Sequence, residues 1–216
     1  MSAPIFRVGF EGSSPADLAP DVDGVTVLPV RGLGIGFVAG VRIATPMGYV
    51  AVERLAAGDA VLTADGRHAR LAWVGSSCVA GRGAHAPVRF ETGTLDNIRP
   101  LRLGQGHRLR VTGLRADLLF DASAVFGLAR SFVNGEDVVV EPPAETVTYV
   151  HLMCARREVV LAENVPCETL PPGPDGLERI EAMMRLAGAG AGARPAAFAI
   201  GDGERGALSS APDRDA

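Results

Sequence analysis

The chain has 216 residues, of which 47% are hydrophobic and only 5% aromatic, and its formal net charge is −4. This length fits one domain with tails or two small domains, and the modest, mixed charge argues against a nucleic-acid binder, which carries a basic surplus on one face. No apolar segment reaches the roughly 18 residues that cross a bilayer, and the N-terminus lacks a secretory pattern. The sequence therefore predicts no membrane partner and a cytoplasmic location by default, with leaderless export as the open alternative.

Cysteine and glycine patterns exclude the common cofactor and metal sites. Cys78, Cys154 and Cys167 are an odd number without C-x-x-C spacing, so neither a disulfide scaffold nor a zinc site is predicted. The four histidines are scattered, and each by itself is typical of a surface or hydrogen-bonded core residue. The run 32–36 is rich in glycine, but Gly40 and a Thr-Pro turn follow it where a nucleotide-binding loop would open into a helix. The sequence thus predicts no cofactor and no metal.

Taken in chain order, the pattern predicts an all-β domain between two different tails. Residues 1–34 form an irregular lead-in with one short strand over 25–30. Residues 35–173 alternate short apolar runs with turn signals, among them the hairpin dipeptide Asp65-Gly66. The predicted strands are Val41–Ala44, Tyr49–Val52, Asp59–Thr63, Arg70–Val74, Val88–Phe90, Leu101–Leu103, Arg108–Val111, Val138–Val140, Val147–Leu152 and Glu158–Ala162, with one helical turn over Val52–Leu55.

The C-terminal tail changes character after a proline- and glycine-rich turn. Leu177, Ile180 and Met184 lie at helical spacing behind a capping pattern, so residues 174–188 are predicted to form one short amphipathic helix. Residues 189–216 are rich in glycine and alanine and are predicted to be disordered.

The β domain opens with the stretch GFVAGVRIATPMGYVAVERLAAGDAVLTADG, in which glycine and Thr-Pro turns separate short apolar strands. These turn residues and this strand register resemble the opening of a Hint domain, the hedgehog/intein-type module found in bacterial proteins among others. Two later segments, around 99–108 and 149–163, resemble the same family. The resemblance covers about residues 35–173 and implies a compact Hint-type β-fold. The matching positions in the opening are Phe37, Gly40, Ile43, Thr45, Pro46, Gly48, Glu53, Leu55, Gly58 and Asp59.

The resemblance implies self-cleavage by an acyl shift, with the protein's own N-terminal segment as substrate. A thiolate at the first position attacks the preceding peptide carbonyl, and a histidine protonates the departing nitrogen. The first position falls at Gly36, which has no nucleophile, while His107 keeps the position of the proton donor. The sequence therefore predicts a degenerate, inactive domain in which His107 is either a vestigial general acid or a buried histidine bonded to the backbone.

Other departures from the family pattern point the same way. Gly104 stands in the usual serine or threonine place near His107, and Ala155 and Arg157 stand where the bacterial group has aspartate and histidine. The His-Asn pair that inteins use for C-terminal cleavage is missing, so splicing is not predicted. No protein partner is identifiable.

Two alternatives remain open at this point. The first is an autoprocessing domain that is still active through another nucleophile such as Cys154, although His151, and not Cys154, falls where inteins of that kind place their cysteine. The second is an unrelated β-fold module that binds a ligand. A β-fold of Hint type decides against the second, while retention of residues 1–35 would decide against the first.

Overall fold

The computed structural model describes residues 34–113 and 124–172, together with the backbone of two short strands before them. These are β1 (Ala19–Pro20) and β2 (Thr26–Val27), which pair antiparallel. The predicted helix at 174–188 and the predicted disorder at 189–216 lie outside the described residues.

Strands supply nearly all of the regular secondary structure of the described domain, as the alternating sequence predicts. They are β3 (Phe37–Val38), β4 (Arg42–Thr45), β5 (Gly48–Ala51), β6 (Ala60–Leu62), β7 (His68–Gly81), β8 (Val88–Phe90), β9 (Leu101–Leu103), β10 (Arg108–Thr112), β11 (Ala124–Leu128), β12 (Val138–Val140), β13 (Ala144–Cys154), β14 (Val159–Ala162) and β15 (Val165–Glu168). Short 3-10 helices at Val52–Arg54, Gly83–His85 and Ala129–Phe132 connect some of them. None of the described helices is long and apolar enough to span a membrane.

Two sheets share one core. Strands β11-β10-β15-β14-β4-β5 form the first sheet and β12-β8-β9-β3-β13-β7-β6 the second, in which the long strands β7 and β13 pair over most of their length. Branched aliphatic residues and a few phenylalanines from both sheets fill the space between them. Burying each large aliphatic side chain contributes about 1.5–3 kcal/mol, so this shared core holds the two sheets together.

The second face of the second sheet carries a smaller cluster that bears on the site. Val38, Val79, Val147 and Tyr149 pack there, on the side of β3 and β13 away from the main core. Because alternate residues of a strand point to opposite faces, His151 shares this face with Tyr149, whereas Leu152 points into the main core.

The strands differ from the sequence prediction chiefly in the length of β7 and β13 and in several short strands that were not predicted. Strand β7 has 14 residues and continues through Gly75 and Ser77, well past the predicted end at Val74. Its middle is polar enough to indicate a break, but full pairing with β13 satisfies the backbone there. Strands β3, β11 and β15 were not predicted, since β3 is two residues long and Pro166 lies within β15.

Candidate functional site

The candidate site lies where residues 34–36 enter strand β3. The Gly34 amide donates to the carbonyl of Ala84 at 3.0 Å, the Gly106 amide donates to the carbonyl of Gly34 at 2.8 Å, and the Gly104 amide donates to that of Gly36 at 3.0 Å. The segment is thus held on two sides, and Ile35 between the glycines is buried. The peptide bond Ile35–Gly36, which the resemblance marks as the one for cleavage, is fixed within the domain.

Gly36 adopts a backbone conformation that suits glycine alone. Its φ is +116°, in a region that side chains with a Cβ rarely adopt. A Cβ at this position would lie 2.6 Å from Cε1 and 2.8 Å from Nδ1 of His151, and 3.1 Å from the carbonyl oxygen of Val150. Both the backbone and the neighbouring imidazole therefore exclude a side chain at position 36.

His107 contacts the nitrogen of the same peptide bond. Its Nδ1 accepts a hydrogen bond from the Gly36 N–H at 3.2 Å, and its ring packs edge-on against Phe37 with 4.5 Å between ring centroids. Because Nδ1 accepts here, the single proton of the neutral ring lies on Nε2, a buried atom with no hydrogen-bond partner among the described residues. Burial, with a smaller contribution from the nearby His151, lowers the pKa of His107 to about 3.

His151 brings a second buried imidazole to Gly36. It lies near the end of β13 with 2% of its surface exposed, and its Nε2 is 3.2 Å from the hydroxyl of Ser77 on β7. Burial lowers the pKa of His151 to about 4, so the ring is neutral near pH 7. Its Nδ1, the nitrogen nearest Gly36, has no hydrogen-bond partner in the described part of the chain.

Gly104 leaves no room for the serine or threonine that the family pattern places there. A Cβ on Gly104 would lie 2.5 Å from the carbonyl oxygen of Gly34 and 2.9 Å from Cα of Ile35. The backbone of the lead-in therefore takes the space of the missing side chain. Gly104 and the segment 34–36 fit each other by close approach of main chains.

A small cavity adjoins these groups. Its lining includes Gly36, His107, His151 and Thr169, together with the buried ion pair between Arg108 and Glu168, whose charged atoms are 3.2 Å apart. Within residues 34–113 and 124–172, no group of three histidine, cysteine, aspartate or glutamate side chains is placed to hold a metal ion.

Comparison with known families decides what this arrangement belongs to. The model of the Hint domain family matches residues 35–174, which is well over half of the chain. The chain belongs to the Hint domain family. This membership decides against an unrelated β-fold, and the matched range begins at Ile35, beside Gly36.

Solved structures provide further likenesses at low sequence identity. A bacterial intein-like domain from Clostridium thermocellum is 17% identical, with a TM-score of 0.46, and the match covers 63% of this chain and 99% of that one. The MchDnaB-1 intein is 16% identical, with a TM-score of 0.41 and coverage of 60% and 98%. The gp41-1 intein is 10% identical, with a TM-score of 0.43 and coverage of 62% and 98%. No curated protein sequence matched the chain.

Cys154, the alternative nucleophile, lies away from Gly36 in this Hint domain. It shares the main core with Leu152, on the opposite face of β13 from His151, and it is about 10 Å further along the strand. Burial, and to a lesser extent the neighbouring carboxylate of Glu158, raise the pKa of Cys154 to about 11 against the opposing effect of a hydrogen bond with Thr169. Burial also raises the pKa of Cys167, whereas Cys78 is exposed.

The two late positions that depart from the family pattern lie in a turn. Ala155 and Arg157 follow β13 and are exposed, and the Arg157 guanidinium is 3.7 Å from the carboxylate of Glu168. The turn therefore directs Arg157 toward a buried carboxylate that also pairs with Arg108.

Through the family resemblance, the sequence assigned Gly36 and His107 to the same peptide bond and noted His151 only as the position of another intein cysteine. It did not predict that the hydrogen-bonded pair of His151 and Ser77 lies beside Gly36. His151 and Ser77 are 74 residues apart along the chain, and single histidines carry no pairing signal. The signal that could have found them is strand register, because the pairing of β7 with β13 brings Ser77 opposite Tyr149 and next to His151.

Proposed function

We propose that this Hint domain is catalytically inactive and serves as a binding or structural module that keeps its own N-terminal segment attached. The observation that carries the proposal is Gly36, which offers no nucleophile at the position where the family's reaction begins. The acyl shift requires an electron-rich atom beside the carbonyl of Ile35. At position 36 the only substituents are hydrogens.

The state of His107 supports the same proposal. To protonate the departing nitrogen of Gly36, the ring would need a second proton, because its Nδ1 already accepts from that nitrogen. With a pKa of about 3, only about one ring in 10⁴ is doubly protonated at pH 7. The bond between Ile35 and Gly36 thus lacks both a nucleophile and a ready proton donor.

Retention of the lead-in has a structural basis as well. The main-chain hydrogen bonds of Gly34 and Gly36 join the segment to the 3-10 helix Gly83–His85 and to the loop at 104–106, and each contributes about 0.5–1.5 kcal/mol net. The buried side chain of Ile35 adds apolar contact. These interactions hold residues 34–36 as an integral part of the domain.

Intact-mass spectrometry of the purified full chain tests the proposal. The protein is kept at pH 7 for several days with and without an excess of a small thiol, using a Cys78→Ser variant as well, so that adducts on the exposed thiol are not mistaken for reaction at the site. We expect a single unchanged mass in every sample. A fragment that begins at Gly36 would contradict the proposal, and its loss in Cys154→Ala would identify that thiol as the nucleophile.

A further inference from the structure

The side chain of His151 lies where a side chain at position 36 would have to go. Its Cε1 and Nδ1 are 2.6 Å and 2.8 Å from a Cβ built on Gly36, well inside van der Waals contact. The imidazole is buried and borders the small cavity described above, so it could move away from a new Cβ only into that cavity or by repacking the sheet.

Ser77 holds this imidazole in place from the neighbouring strand. The hydroxyl of Ser77 and Nε2 of His151 are 3.2 Å apart, and both residues are buried on the same face of the sheet. Register pairing of Ser77 with Tyr149 and of His151 with Gly75 places the two side chains diagonally on that face. Across from the imidazole, Gly75 has no side chain of its own.

From these contacts we propose that His151, positioned by Ser77, is the residue that keeps a nucleophile out of position 36. This rests on the proposed inactivity of the domain and assigns a second cause to it: the missing thiol is accompanied by a ring that fills its place. Restoring the thiol alone then forces a clash, whereas shortening residue 151 opens the space. His151 acts here as a positioning residue and takes no part in bond making.

A stability cycle tests the steric half of the proposal without any chemistry. Gly36→Ala adds only a Cβ, and its effect is measured in the wild-type protein and in His151→Ala by thermal unfolding of the full chain. The strain of a positive φ is present in both backgrounds and cancels in the comparison. We expect the loss of Tm caused by Gly36→Ala to be at least halved in the His151→Ala background.

Equal losses of Tm in the two backgrounds would overturn the proposal. If Gly36→Ala fails to fold with His151 present and folds with Ala at 151, the proposal is supported. If it fails to fold in both, the proposal is also overturned, because removing the ring then relieves nothing.

The chemical half uses a thiol at position 36. In Gly36→Cys the thiolate would attack the carbonyl carbon of Ile35, forming a C–S bond and breaking the C–N bond, while the nitrogen of residue 36 takes a proton from solvent. A small external thiol then exchanges with the thioester and releases residues 1–35. We expect G36C/H151A to release this fragment at least ten-fold faster than Gly36→Cys by intact mass.

Two controls distinguish the removal of the His151 ring from the space beside position 36 from a general destabilisation of the fold. G36C/H151Q keeps a long side chain at 151 and should stay as slow as Gly36→Cys, and G36C/H68A removes an exposed histidine and should do the same. Equal rates for G36C/H151A and Gly36→Cys would overturn the proposal. Cleavage of the wild-type chain would instead contradict the proposed function, so the two failures are distinguishable.

Discussion

The two faces of strand β13 carry opposite kinds of residue. One face presents His151 to Ser77 and Gly36, where two neutral imidazoles meet the main chain of the lead-in. The other face presents Leu152 and Cys154 to the main core, where apolar side chains of both sheets close around them. The difference teaches that a reactive residue type does not by itself mark a reactive site. The thiol of Cys154 is enclosed in the main core, whereas the face of β13 that lies beside the Ile35–Gly36 bond carries no thiol.

Lowering the pH should reduce the free energy of unfolding more than any of the single substitutions below, because it protonates the two buried imidazoles of the polar face. The pKa values of His107 and His151 are about 3 and about 4 in the folded protein and about 6.5 when unfolded. The unfolded chain therefore binds more protons in this range, so stability is fully present above pH 6.5 and is lost as the pH falls toward 4 and then 3. We expect a loss on the order of 5 kcal/mol, measured by urea unfolding at several pH values.

The matched control for this pH dependence is the double variant H107Q/H151Q. Because it lacks both imidazoles, its stability should fall less steeply between pH 6.5 and pH 5, where few carboxylates titrate. An equal slope for the wild type and the double variant would contradict the assignment of the effect to these two rings.

The core face should respond to truncation in the usual way for a packed interior. Leu152→Ala removes a side chain that is 1% exposed and leaves a cavity between the sheets, which should lower the free energy of unfolding by about 2–5 kcal/mol. The measurement is chemical unfolding at pH 7. A loss under 1 kcal/mol would indicate that this face is loosely packed, and the contrast between the two faces would then fail.

Introducing the serine of the family pattern at position 104 should lower the free energy of unfolding by less than Leu152→Ala does, and its effect should be concentrated in the segment 34–36. In Gly104→Ser the new Cβ would approach the carbonyl oxygen of Gly34 to 2.5 Å, and overpacking of this kind costs about 1–3 kcal/mol. We expect faster amide exchange at Gly36 and Gly106, because the segment 34–36 must move away. Unchanged exchange at both amides would show that the close approach is not important for holding the segment.

Replacing the buried thiol should have the smallest effect. Cys154→Ala deletes one buried atom, which should lower stability by about 1 kcal/mol. The intact mass of the chain after days with a thiol should be the same as for the wild type. Cleavage in the wild type that this substitution abolishes would move the chemistry to the core face.

Much of the fold and half of the site could be predicted from the sequence. Turn residues and alternation located β8, β9 and β12 at their bounds, since short strands with clear breaks are local features. Gly36 and His107 were identifiable because each occupies a position in the family's pattern. The length of β7 was not predictable, since its polar centre is stabilised by a partner strand distant in sequence.

The contact between His151 and Gly36 could not be predicted for a related reason. It depends on the register of β3 against β13, in which Phe37 pairs with Val150, and on the conformation of one glycine. The family resemblance places residue 151 where some inteins carry a cysteine, but neither the register nor the glycine conformation can be inferred from the sequence. The sequence shows that position 36 lacks a nucleophile, whereas only the packing shows that the imidazole of His151 occupies the adjoining space.

The most direct test of the central claim is whether the chain stays whole in the cell in which it is made. A full-length protein with one tag before Met1 and another after Ala216 should carry both tags on a single chain in fresh lysate and after purification. Recovery of the C-terminal tag on a chain that starts at Gly36 would contradict the account.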